Sequence, residues 1–453
     1  MKSFLSSCLK RVKADYLEIR YEEVKVVGIH YVGKELEAIG ESYGKGGGIR
    51  AKSRGGWSFV SFNDLSKLKD YLELATKGAH LIKGEEIKLA SLPTQNEVIS
   101  VEVELDPDDI SLEEKYLLCN RYNKILLSGK EIQTSALRYA DIHTTKYFIN
   151  SEGTYIEQKR IDTVLGMSAI ARRGDNIQSA HVGIGGVGGF GLVKEKAKQA
   201  EEAVKRAQDL LDAEPAKGGK YTIIVDPELS GVFAHEAFGH LSEADFLYED
   251  KRLQKIMVLG RVFGPPGLNI IDEPRIKGEG GYYLYDDEGV PSQKTYLIKE
   301  GRLSGRLHCR ETAAKMGEEI TGNARALSYD YPPIVRMSNT YIAAGDKCFD
   351  EMIEEVGEGI YVKGFHGGQT NLEMFTFAPE EGYLIKKGRL QHKIRDLNLS
   401  GNIFNTLASI EAIGNDLVLF TGPGGCGKGG QSPLPVSTGG PHLKIKDVVV
   451  GGK

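Results

Sequence analysis

Two imidazoles and a carboxylate fall within six residues just past the midpoint of the chain, in the run His235-Glu236-Ala237-Phe238-Gly239-His240. Ionisable groups at that density in an apolar stretch are costly unless they are paired or hold a metal. The nearest simple pattern is the zincin HExxH, in which two histidines on one helix face bind zinc and the glutamate acts as general base. Here one more residue separates the histidines. At about 100° per residue, positions i and i+4 lie about 40° apart around a helix, whereas i and i+5 lie about 140° apart. A shared ion therefore requires a wide turn, such as a π-bulge, or a helix that ends between the two ligands. Gly239 is the residue that best tolerates such a break. Without a shared ion the run reduces to two ordinary histidines, one packed and one at a helix end.

A catalytic zinc site takes three protein ligands and leaves a fourth position for water. Cys426 is one candidate for the third ligand. It stands among glycines in Gly422-Pro-Gly-Gly-Cys426-Gly427-Lys428, an exposed-looking loop rather than the buried setting usual for a free cysteine. The rivals are Glu243 and Asp245, close after His240, and spacing alone does not decide among them.

The elements that must position these groups can be read outward. The run Tyr221-Thr-Ile-Ile-Val225 has the pattern of a buried strand and leads straight into Asp226-Pro227, a helix start with an Asp cap and a Pro in the first turn. Upstream, residues 16–40 alternate as a strand, Gly46-Gly47-Gly48 reads as a turn, and Ile49 to Lys52 and Trp57 to Val60 read as short strands. Asn63 or Asp64 then opens an amphipathic helix carrying Leu65, Leu68 and Leu72 on one face. Val98 to Leu105 reads as one alternating strand in a connector that contains Pro93 and Pro107. Ser111-Leu-Glu-Glu114 is a capping box opening a helix that stops at Gly129. Strands with a turn at Asn150–Gly153 follow, then the glycine-rich His181–Gly191 and a helix from Val193 to Leu211. The expected fold is α+β: two small α/β subdomains, 1–90 and 91–216, then a β-rich C-terminal domain, 217–453, that carries the metal-site helix.

Composition narrows the class. The chain has 453 residues, 40% hydrophobic and 27% charged, which is ordinary for a globular protein long enough for two or three domains. A net charge of −5 provides no broad field for nucleic acid. Five scattered cysteines argue against a disulfide framework and for the cytoplasm. Neither a signal peptide nor a membrane span is expected, since no apolar run approaches the ~20 residues a span needs.

Two glycine-rich stretches imitate nucleotide motifs. Gly183-Ile-Gly185-Gly-Val-Gly188 fits GxGxxG, but a run so rich in glycine fits it easily, and the acidic residues about 20 positions on, Asp209 and Asp212, end a helix instead of following a second strand. Gly422 to Lys428 matches most of a Walker A loop, but Gly429 stands where a Ser or Thr hydroxyl should bind Mg²⁺.

The stretch His235 to Asp245 resembles the HExxxH signature of the TldD branch of the TldD/PmbA (TldE) family, zinc metalloproteases once labelled modulators of DNA gyrase. Asp286-Asp-Glu-Gly289, Thr321-Gly-Asn-Ala-Arg325, Arg336-Met-Ser-Asn-Thr340, Gly367-Gly-Gln369 and Cys426-Gly-Lys428 with Gln431 resemble that family in the expected order. The similarity covers nearly all of 219–453 and is weaker over 14–215, where Tyr16 to Arg20 and Ser151-Glu-Gly153 agree. The PmbA branch lacks HExxxH, so this chain resembles the metal-bearing partner. The resemblance implies a Zn²⁺ peptidase with His235, His240 and Cys426 as ligands and Glu236 as general base. It also implies a homodimer, or a heterodimer with a PmbA/TldE-like subunit, whose enclosed cavity admits unfolded peptides as an added strand. Direct nucleic-acid or membrane contact is not implied. His308, Arg325, Tyr282, Tyr283 and Tyr285 are candidates for oxyanion stabilisation whose first reading is structural, and the acidic run Asp286–Glu288 reads first as a charged turn. The competing class is a binding or regulatory protein without chemistry, which would need none of the His, Glu and Cys set.

Overall fold

The structure, a computed structural model, describes residues 1–10, 12–371 and 373–452, so Lys453 at the end of the expected 217–453 unit lies outside the described residues. A helix, Lys2–Leu9, precedes a long antiparallel hairpin of β1 (Tyr16–Val32) and β2 (Glu35–Ser53). With β3 (Gly56–Phe62), β4 (Asn96–Ser100), β5 (Ile132–Asn150), β6 (Tyr155–Arg173) and β7 (Asn176–Val187) these form one seven-stranded sheet in the order β3-β2-β1-β5-β6-β4, with β7 also on β6. One sheet thus spans both the 1–90 and the 91–216 segments.

Side chains alternate across this sheet, and each face has its own work. Leu17, Ile19, Tyr21, Leu137, Tyr139, Leu165 and Met167 point to the face packed by the helices Lys2–Leu9, Leu68–Leu81, Leu112–Leu126 and Ala197–Asp212. The capping box predicted at Ser111 is formed, with the Glu114 N–H donating to Ser111 Oγ and the Ser111 N–H to the Glu114 carboxylate. The intervening residues Glu18, Arg20 and Glu22 point the other way, toward the C-terminal half. There Arg50 bridges Glu18 and Glu288 at 2.6 Å each, and Lys146 reaches Asp287 at 3.0 Å. The run Asp286–Glu288 is therefore a buried charged turn that ties the two halves together.

The expected turn at Gly46-Gly47-Gly48 is absent. These glycines lie inside β2, and the turn falls at Gly33, whose φ is +57°. The reason is space: a Cβ at Gly46 would lie 2.3 Å from the Tyr329 ring, and one at Gly47 2.4 Å from Phe62. Likewise Gly183 and Gly185 belong to β7, so the GxGxxG-like run forms no strand-to-helix phosphate turn.

The C-terminal half holds a ten-stranded and a six-stranded sheet. Strand Gly219–Val225 runs inside the larger one, parallel to Glu358–Lys363 and antiparallel to Leu443–Gly451. It ends in the predicted cap: the Asp226 carboxylate accepts from the Leu229 N–H at 3.0 Å and from the Gly364 N–H at 3.1 Å. The helix Pro227–Ala234 then packs between the two sheets. On one side Phe233 meets Phe375 edge-on at 5.5 Å. On the other, a Cβ at Gly231 would lie 2.3 Å from the backbone nitrogen of Gly439 in strand Ser437–Gly440. Helix and strand cross with nothing but glycine between them, which fixes the height of every later residue of the helix.

Gly231→Ala is expected to lower stability by about 1–3 kcal/mol, the usual effect of overpacking a close contact. An unchanged midpoint in denaturant unfolding would show that the crossing is looser than this.

Candidate metal centre

After Ala234 the helix widens. The His240 N–H donates to the carbonyl of His235, five residues back, so residues His235–Gly239 make a π turn before a tight turn at His240–Ser242. The extra residue in the turn brings both imidazoles to one side, with ring centroids 5.1 Å apart and planes at 83°. This is the wide turn that the histidine spacing requires. Gly239 serves it differently from expectation: its φ of −57° is ordinary helix, and glycine is needed because a Cβ would lie 2.0 Å from Met337 Sδ. Ser242 Oγ donates to the Phe238 carbonyl at 2.9 Å, within the disturbed ladder.

Cys426 arrives from the far end of the chain on a short strand, Cys426–Lys428, paired with Gln431–Leu434. Gly429 and Gly430 join the two with φ of +57° and +76°, the pair of positive values a two-residue hairpin turn needs. The stretch that imitates a Walker A loop is this hairpin. It is not the exposed loop expected, since Cys426 is only 4% exposed. The fully buried Arg336 anchors it, donating to the Cys426 carbonyl at 2.7 Å and the Gln431 carbonyl at 3.2 Å.

One ligand atom each from His235, His240 and Cys426 lies within 4.8 Å of the others, and Cys426 Sγ is 3.5 Å from His240 Nε2. Nitrogen and sulfur donors at about 2.0–2.3 Å around a tetrahedral ion sit about 3.5 Å apart, so the set fits zinc. A buried ring nitrogen, His235 Nδ1, has no hydrogen-bond partner among the described residues. Burial alone would raise the Cys426 thiol, but the imidazoles of His235 and His240 outweigh it and bring the pKa down to about 5. The sulfur is thus poised as the thiolate that binds metal.

The rival ligands are engaged behind this set. His240 Nδ1 bonds Glu243 Oε2 at 2.9 Å, which turns Nε2 toward Cys426. Lys428 Nζ lies 3.2 Å from Glu243 Oε2 and 2.6 Å from Asp245 Oδ1, donates to the Val335 carbonyl at 2.7 Å, and sits over the Phe246 ring. Burial would lower the His240 imidazolium, but Glu243 and Cys426 raise its pKa to about 11. Burial would raise the Glu243 carboxyl, yet Lys428 and His240 hold it below the usual range. Lys428 is spent on this buried pairing. Sequence reasoning took Glu243 for a rival ligand and missed its orienting position, although the three-residue spacing from His240 on one helical turn was the available signal.

Glu236 is half-buried and lines two clefts that meet at the site. One, of about 810 Å³, runs past His235, Val232 and Gly422–Cys426 over the small residues Gly166, Ser168 and Gly183 of the N-terminal sheet. The other, of about 860 Å³, passes His240, Phe246, Leu253 and Gly427. The oxyanion candidates lie elsewhere. His308 is held by Thr312 at 3.1 Å and Glu318 at 3.0 Å, and Arg325 donates to the Met337 and Pro435 carbonyls. Tyr282, Tyr283 and Tyr285 line a separate cleft of about 330 Å³.

Comparison with known proteins gives the family of the chain. Residues 218–452 match the PmbA/TldA metallopeptidase C-terminal domain, 105–211 its central domain and 17–79 its domain 1. The chain belongs to the PmbA/TldA metallopeptidase family. It is 44% identical to a metalloprotease of Synechocystis sp., over 97% of this chain and 95% of that one. It is 29% identical to a zinc metalloprotease TldD homolog of Saccharolobus solfataricus, over 97% of each. Its fold matches TldE from Thermococcus kodakarensis with a TM-score of 0.78 at 18% identity, covering 99% of this chain and 100% of that one.

Glu243→Gln removes the charge that orients His240 and is expected to weaken zinc binding roughly 10- to 100-fold, the usual effect of losing such a partner. Competition with a chromophoric chelator measures it, and unchanged affinity would show that His240 is held without Glu243.

Proposed function

We propose that the chain is a zinc-dependent peptidase, with His235, His240 and Cys426 as the metal ligands and Glu236 as the general base. The observation that carries this reading is the convergence of two imidazoles and a low-pKa thiol from opposite ends of the C-terminal half, at zinc spacing, beside the Glu236 carboxylate, which lines both clefts. Three protein ligands with a fourth direction left for solvent is the pattern of catalytic rather than structural zinc. The names of the Synechocystis and Saccharolobus relatives agree with it.

Zinc bound there supplies Lewis-acid activation of water and of the scissile carbonyl. The rest of the chemistry belongs to the chain. Glu236, next to a ligand on the same turn, takes the proton of the attacking water at its carboxylate and passes it to the leaving amine. Glu243 keeps His240 in one tautomer and orientation throughout. Because two clefts meet at Glu236, an extended peptide can lie through the site with chain on both sides of the cleaved bond. A folded protein cannot present such a strand without opening, which restricts substrates to unfolded peptides. The clefts are open in the single chain, and pairing with a second copy or a PmbA/TldE-like subunit is the arrangement that would enclose them. Among the described residues no helix is long and apolar enough to cross a membrane.

The purified protein is expected to carry about one zinc per chain, the content of a three-ligand site, and to lose peptidase activity on chelation. Glu236→Gln keeps the metal and loses roughly 10²–10⁴-fold in kcat, the usual contribution of a general base. Chelator-resistant cleavage, or near-full activity in that variant, would sink the mechanism. Cys426→Ser is expected to lose zinc while remaining folded. Retained zinc in that variant, with loss in Glu243→Gln, would move the third ligand to the acidic pair.

A further inference from the structure

The first turn of the metal-site helix carries a second acid, Glu228, that the mechanism above does not use. Glu228, Val232, His235 and Glu236 recur at helical spacing and all line the same cleft. Glu228 accordingly lies on the substrate side of the helix, ahead of the metal ligands. Seven residues at 1.5 Å rise put it about 10 Å from His235 along the axis. An extended peptide advances about 3.3 Å per residue, so that distance is spanned by about three residues of substrate.

The carboxylate is short of cations. No salt bridge or side-chain hydrogen bond reaches Glu228 among the described residues. The two positive groups whose charge acts on it, His181 and Arg206, are both committed to Glu380, with Arg206 Nη1 at 2.8 Å from Glu380 Oε2 and His181 Nδ1 bonded to Oε1. Asp226, one residue before Pro227, adds a third acid and is itself buried. Of these three acids Glu228 alone lines the cleft, since Asp226 caps the helix through the Leu229 and Gly364 N–H groups and Glu380 is held by its two cations. Burial, then the neighbouring charges of Asp226 and Glu380, push the Glu228 carboxyl up to about 7, the behaviour of an acid whose counter-charge has yet to arrive.

We propose that Glu228 is a specificity residue that binds a positively charged amino group of the peptide substrate, about three residues from the cleaved bond. The inference rests on the peptidase reading. The ammonium can come from a lysine side chain or from the free N-terminus, and both would be held by the same charge-assisted hydrogen bond at the cleft wall. His366, also lining the cleft, and the His181–Glu380–Arg206 group frame the position. These are not assigned a metal, since both Glu380 oxygens already have cationic partners.

The test uses the zinc-loaded protein in its assembled form. One arm takes blocked fluorogenic peptides with lysine or norleucine at each position two to four residues from the cleaved bond. The other takes a lysine-free peptide with a free or an acetylated N-terminus. The wild type is expected to prefer the charged member of at least one pair by roughly 10- to 100-fold in kcat/KM, the range of a charge-assisted hydrogen bond. Glu228→Gln should collapse that ratio to near one with zinc content retained, and Glu228→Asp should restore part of it. The absence of a preference in both arms, or a preference that survives Glu228→Gln, overturns the proposal. If the wild type cleaves none of the peptides, the peptidase reading fails instead. Fluorescence anisotropy of the labelled lysine and norleucine peptides, on wild type and Glu228→Gln, then decides the role of Glu228 by itself.

Discussion

One backbone hydrogen bond, from the His240 N–H to the His235 carbonyl, brings the two imidazoles of the candidate metal centre to one side of the helix. In a regular helix the second imidazole would point about 140° away from the first, and neither Cys426 nor any neighbouring acid could repair that. A π turn is uncommon and is found mostly where function demands it. Here its surroundings hold it in place. Gly439 fixes the helix upstream through the Gly231 crossing, Met337 fills the space a Cβ at Gly239 would take, and Ser242 bonds the Phe238 carbonyl. The widened turn also leaves Glu236 on the cleft side, adjacent to a ligand.

Behind the ligands runs a line of alternating charge: Cys426, His240, Glu243, Lys428, Asp245. Each member is largely buried, and each would be expensive there alone. Together they give His240 a fixed orientation, and His235 with His240 brings the thiol pKa down. Lys428 closes the line because it sits two residues from Cys426 on the same hairpin strand. The metal loop and the histidine helix are thereby locked to one another by charge as well as by the anchoring of Arg336 on the Cys426 and Gln431 carbonyls. A cysteine some 190 residues from the two histidines needs such a lock to stay beside them, because no local secondary structure links it to them.

Much of this was legible in residue types and spacing. The i,i+5 histidines demanded a departure from α geometry, Asp226-Pro227 announced the helix, and Ser111 with Glu114 announced a capping box. What stayed hidden depended on neighbours distant in sequence. Gly46–Gly48 look like a turn, and only the aromatic rings of Tyr329, Phe62 and Phe59 explain why glycine is needed inside a strand. The glycines around Cys426 suggested an exposed loop, whereas Gly429 and Gly430 are a hairpin turn and the cysteine is buried. Glu243 and Asp245 could be named as acids near a metal, but whether they bind it or stand behind it turns on Lys428, more than 180 residues away.

The N-terminal half is more than a support for this site. Its sheet turns large apolar side chains to the helices on one face and Gly166, Ser168 and Gly183 to the cleft on the other. Those small residues leave depth in the cleft opposite Glu236. The limit is already close: a Cβ at Gly166 or Gly183 would lie 3.0 or 3.2 Å from the Pro423 ring, so larger residues there would press on the segment that leads into Cys426. Cleft width and ligand position are therefore coupled through Gly422–Gly425. The sheet that walls the cleft and the hairpin that holds the sulfur meet at the same few atoms, and neither can change its packing without moving the other.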